Sequence, residues 1–119
     1  MSNHKTALIF SILSIPALTF SVAQGEEFKV APRIEVLLKK GNCWGCHGVS
    51  EQRVGPPFQS VAQIYADATS EQFAALTEKV RFGGAGKWGA IPMTPHPELK
   101  QAEITELLTW VLQQNPEKK

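Results

Sequence analysis

The sequence predicts an all-α domain, and three observations carry that prediction. Apolar residues recur at helical spacing, most clearly Ile104, Leu107, Leu108, Val111 and Leu112, which follow the i, i+3, i+4, i+7, i+8 stripe of a helix burying one face. No stretch shows the convincing period-two alternation of a half-buried strand. The chain of 119 residues is also too short for more than one small domain.

Residues 1–23 stand apart from that domain. Lys5 gives a short positive start, Ala7 to Phe20 is mostly apolar with Pro16 interrupting it, and Ser21-Val22-Ala23 offers small residues for cleavage before Gln24. This is the pattern of a secretory signal peptide, too short for a comfortable membrane span. An uncleaved N-terminal anchor is the competing reading. The working domain is then residues 24–119, and without Lys5 its basic residues fall from 12 to 11, equal to its 11 acidic ones. A near-neutral chain with no basic tract and no aromatic-basic interleaving does not point to nucleic acid.

The first helix starts near Pro32, a residue suited to the first helical position, and carries Ile34, Leu37 and Leu38 on one face. Lys39 and Lys40 favour its last turn and Gly41 its end. A loop over 48–57 follows, with Gly55-Pro56-Pro57 as a rigid corner. Val61, Ile64 and Tyr65 fit one face of a short helix, and Thr69 or Ser70 can cap the next, in which Phe73, Leu76 and Val80 recur. Gly83-Gly84-Ala85-Gly86-Lys87-Trp88-Gly89 reads as a flexible crossing. It is not a phosphate loop, which would need glycine in place of Arg81 and Ser or Thr in place of Trp88. Asn115-Pro116 stops the last helix.

Between the first helix and the loop lies Cys43-Trp44-Gly45-Cys46-His47, holding both cysteines of the chain. Two thiols three residues apart, followed by histidine, form the attachment signature of a c-type haem. On a helical turn, residues three and four apart share a face. Both sulfurs can then reach the two vinyl edges of one porphyrin, and His47 can aim a ring nitrogen at the iron. The rivals are a zinc site drawing on Cys43, Cys46, His47 and His96, a thioredoxin-like dithiol, and a plain disulfide. No second cysteine pair and no strand-rich flank supports the first two. A covalently held porphyrin would also complete the marginal core of so small a domain, against groups such as Val54, Ile91 and Leu107.

A second axial ligand has one methionine to come from, because Met93 is the only one beyond the signal segment. It lies between Pro92 and Pro95, in a stretch stiff enough to hold a weak thioether donor at little entropic cost. A Met/His pair raises the reduction potential relative to two histidines. His96 is the competing ligand, and otherwise reads as a surface histidine between two prolines.

Taken together, Cys43-x-x-Cys46-His47, Val54-Gly55-Pro56, Lys87-Trp88-Gly89-Ala90-Ile91-Pro92-Met93 and Leu108-Thr109-Trp110-Val111-Leu112 resemble the short bacterial class I cytochromes c of the c-551/c-552 type, in the same order and over essentially the whole domain. The resemblance implies about four to five helices around one covalent haem c, with the first and last helices packed across each other. It implies His47 and Met93 as axial ligands, and the Pro56 carbonyl as acceptor from the other His47 ring nitrogen. It further implies that Trp88 donates its ring N–H to a haem propionate and that Lys79 is a basic propionate partner. Thr94 stands where the family often has proline.

The expected function is that of a periplasmic electron carrier, not an enzyme, meeting redox donor and acceptor proteins around the haem edge through a small transient interface. A dedicated haem subunit of a periplasmic oxidoreductase is the alternative within the same chemistry. A five-coordinate haem enzyme or gas sensor, with Met93 uninvolved, is the alternative outside it.

Overall fold

A computed structural model describes residues 29–118. The expected signal peptide and its cleavage point lie outside the described residues. Four α-helices are formed among those described: α1 (Pro32–Lys40), α2 (Phe58–Ile64), α3 (Ser70–Phe82) and α4 (Gln101–Leu112), with short 3-10 turns at Cys43–Gly45 and Pro116–Lys118. No helix among them is long and apolar enough to cross a membrane.

The helix signals act where the sequence places them, with two shifts. Pro32 opens α1, and Thr69 caps α3 in a reciprocal box in which Thr69 Oγ1 accepts from Gln72 N–H and Gln72 Oε1 accepts from Thr69 N–H. Gly41 follows α1, but the left-handed residue is its neighbour Asn42, at φ 49°. Asparagine tolerates that region better than other side-chain-bearing residues. The second shift concerns α2. Its buried residues are Phe58 and Ala62, whereas Ile64 is half exposed and Tyr65 lies past the helix end. The loop before it is pinned by Phe58 N–H to the Gly48 carbonyl and Gln59 N–H to the Val49 carbonyl, both 2.9 Å, and this rotates the helix so that Phe58 turns inward.

The core is one cluster of Leu37, Leu38, Phe58, Leu99, Ile104, Leu107, Leu108 and Val111, to which Phe73, Leu76 and Val80 of α3 add partly buried surface. α4 contributes four of its residues and packs against each of the other helices. Two ion pairs join the ends of the chain. Arg33 forks onto Glu106 at 3.0 and 3.2 Å, and Lys40 Nζ meets Glu103 Oε2 at 2.7 Å. Leu107 thus belongs to the core, while Val54 and Ile91 are exposed.

The stretch read as a flexible crossing is a two-stranded antiparallel hairpin, β1 (Gly84–Gly86) and β2 (Gly89–Met93), with Gly84 opposite Met93 and Gly86 opposite Gly89. Glycines supply its positive φ values, and all but Met93 of its residues are exposed. Such a ribbon carries no buried face and therefore no alternation to read. It still links the end of α3 to the segment that bears Met93 and His96.

Candidate functional site

The attachment motif forms a single tight turn. Cys46 and His47 both donate their backbone N–H to the Cys43 carbonyl, at 3.1 and 2.9 Å, so Cys43, Cys46 and His47 belong to one helical turn. Both cysteines are half-buried free thiols. Burial pushes the Cys43 thiol up to about 11, which penalises a charged thiolate and suits a neutral thioether. Among the described residues no three His, Cys, Asp or Glu gather as a metal-holding group, so the four-ligand zinc reading finds no site there.

His47 is the most constrained member. Its Nδ1 lies 2.7 Å from the Pro56 carbonyl oxygen. A carbonyl can only accept, so Nδ1 carries the proton and Nε2 keeps its lone pair. Burial pushes the imidazole below its ordinary pKa, more than the Pro56 hydrogen bond raises it. The ring stacks on Phe58, with centroids 5.2 Å apart and planes 15° apart. Behind it, a Cβ on Gly55 would stand 2.5 Å from Cε1 and 2.8 Å from Nδ1, so only glycine lets the backbone come this close. Gly55 is itself held by its N–H to the Cys46 carbonyl at 2.7 Å. The sequence marks Gly55 as part of a corner, but its contact with the imidazole, and the stacking of Phe58, appear only in the folded chain.

Met93 is half-buried at the end of β2. Gly83, at φ 71°, lies so close that a Cβ there would collide with the Met93 carbonyl oxygen. His96 N–H donates to the Arg81 carbonyl at 3.2 Å, tying the same segment to the end of α3. His96 is buried, contrary to its reading as a surface residue, with Nδ1 3.1 Å from Glu98 Oε1. That backbone tie and the turn closed by Leu99 N–H on the His96 carbonyl draw it inward, although both its neighbours are prolines. Trp88 is 43% exposed at the hairpin tip. Lys79 Nζ donates to the Ala85 carbonyl at 3.0 Å, on the same ribbon.

These residues fit a covalent haem. Two thiols share a turn with an imidazole whose free nitrogen is available, and apolar Val54 and Ile91 are left exposed among the described residues.

Comparison with known proteins agrees. The family model for cytochrome c matches residues 33–115. The chain is similar to cytochrome c-551 of Allochromatium vinosum, 41% identical over 65% of this chain and 81% of that protein. It is also similar to cytochrome c-551 of Pseudomonas aeruginosa, 34% identical over 88% of this chain and 96% of that one. The crystal structure of wild-type Nitrosomonas europaea cytochrome c552 aligns with a TM-score of 0.63 and 36% identity, over 68% of this chain and 99% of that one. With its attachment cysteines Cys43 and Cys46, the chain belongs to the cytochrome c family, a class I monohaem protein of electron transport that carries covalent haem c.

Proposed function

We propose that this protein is a periplasmic electron carrier, exported by the segment 1–23, whose haem iron is bound axially by His47 and Met93. The observation that carries this reading is the locked imidazole, with Nδ1–H on the Pro56 carbonyl at 2.7 Å and Gly55 packed against the ring. An imidazole so held has one orientation and one tautomer, and its basicity is raised by the hydrogen bond. When bound, haem c supplies an iron that gains and loses one electron.

The chain's residues do the rest. Cys43 and Cys46 anchor the porphyrin edge, and His47 Nε2 is presented by a turn that need not move. The Met93 backbone is held against Gly83 and followed by the buried His96, so the hairpin fixes the point from which the thioether reaches. Trp88 and Lys79 serve the propionates from the ribbon's side. With both axial places filled by the chain, little reorganises on electron exchange, and no open position remains for a substrate. The protein is accordingly not an enzyme, and its partners are redox proteins met at the exposed hairpin face.

Carbon monoxide tests the closed site. The reduced holoprotein is expected to show no spectral change under carbon monoxide at neutral pH, while exchanging electrons reversibly with hexacyanoferrate. Tight binding of the gas would instead support a five-coordinate enzyme or sensor.

A further inference from the structure

Among the described residues, Arg33, Lys39, Lys40 and Lys118 each meet a carboxylate at 2.7–3.3 Å. The end of α3 and the hairpin differ. Residues 79–97 contain Lys79, Arg81 and Lys87 and no acidic residue. Lys79 rests on the Ala85 carbonyl, and Lys87 Nζ stands 5.2 Å above the Tyr65 ring. Lys79 belongs to a propionate in the carrier reading, whereas Arg81 and Lys87 form no ion pair among the described residues, and a ring orients the Lys87 cation without cancelling its charge.

Within this cationic stretch Phe82 is 65% exposed. Phe82 is the last residue of α3 and adds nothing to the core cluster. Its backbone is nevertheless fixed. Gly83 N–H donates to the Lys79 carbonyl at 2.9 Å, and the next residue, Gly84, pairs with Met93. A large aromatic on a fixed backbone, uncovered and flanked by unneutralised cations, is the pattern of a recognition anchor.

We infer that Phe82 anchors docking of a protein partner that offers an apolar pocket rimmed by carboxylates, with Arg81 and Lys87 meeting that rim. This rests on the carrier reading above and names the partner chemistry. Docking there would set the partner against the segment that bears Met93. The uncompensated cations would steer encounter despite a near-neutral chain, since charge close to the contact dominates once distant charges are screened.

The test is stopped-flow oxidation of the reduced holoprotein by an acidic blue-copper protein, by a basic one, and by hexacyanoferrate. Phe82→Ser should slow exchange with the acidic protein by about tenfold, the scale of a central aromatic contact, and leave the hexacyanoferrate rate and the reduction potential unchanged. Arg81→Gln with Lys87→Gln should slow the acidic protein and flatten its salt dependence, and Lys39→Gln should do neither. Equal rates for Phe82→Ser and the parent, or a basic protein as fast as the acidic one at low salt, would overturn the proposal. So would loss of co-sedimentation with phosphatidylglycerol vesicles in Phe82→Ser without any change in the protein rates, which would assign the face to a membrane. A holoprotein that exchanges electrons with none of the three reagents would overturn the carrier reading and this proposal with it.

Discussion

At the scale of single residues, the site depends as much on what is absent as on its donors. Gly55 has no Cβ, and that lets the loop backbone rest against the His47 ring while the Pro56 carbonyl takes the Nδ1 proton. Gly55→Ala should therefore shift either ring or loop, at a cost of about 1–3 kcal/mol, the usual scale of overpacking. Thermal unfolding of the holoprotein checks this, and an unchanged midpoint would show that the close approach is not real. Gly83→Ala meets the Met93 carbonyl and also a positive φ, so a backbone penalty of about 1–3 kcal/mol adds to the collision. The cysteines, His47 and Met93 stand out in the sequence because few residue types can do their chemistry and because the chain holds so few of them. Gly55 and Phe58 do not, since their roles come from contacts with His47 eight and eleven residues away. The inward position of His96 was equally hidden, because it follows from a backbone hydrogen bond to Arg81 fifteen residues earlier.

At the scale of elements, α1 and α4 were legible because each carries a full apolar stripe and ordinary end signals. The hairpin was not, because glycine-rich, exposed strands have neither alternation nor β-branched bulk, and only the register Gly84 with Met93 reveals them. The α1–α4 contact also makes a prediction about acid. The Arg33 guanidinium holds the Glu106 carboxyl below its usual range, and the Lys40 hydrogen bond does the same for Glu103. Folded pKa values below the unfolded ones mean that these pairs contribute stability above the ordinary glutamate pKa of about 4.3 and lose it as pH falls through the lower folded values. The melting temperature of the holoprotein should drop over that window. In a Glu103→Gln, Glu106→Gln variant it should start lower at pH 7 and fall less steeply. A variant with the parent's acid profile would show that the two pairs contribute nothing.

At the scale of the whole molecule, the polypeptide is short of core. Among the described residues eight buried ones form the core cluster, and Val54, Ile91 and Trp88 remain exposed. A chain of 119 residues, or 96 with the proposed signal segment removed, is small enough that such surface decides whether it folds. The haem-free chain, made with Cys43→Ala and Cys46→Ala, should therefore be largely unfolded or molten by circular dichroism. A cooperative, native-like thermal transition in that chain would show that the helices suffice alone. Acid-acetone should leave the haem of the parent holoprotein attached, as thioether links require.

Axial ligation is where the molecule's parts meet, and the spectrum of the oxidised holoprotein tests it most directly. With His47 and Met93 as ligands, the parent should show the weak far-red band of sulfur-to-iron charge transfer. Met93→Ala should abolish that band, lower the reduction potential and admit external ligands, because a thioether favours ferrous iron. His96→Ala should keep the band. Loss of the band in His96→Ala with its retention in Met93→Ala would contradict the assignment of the sixth ligand, and its absence from the parent would contradict the closed electron carrier.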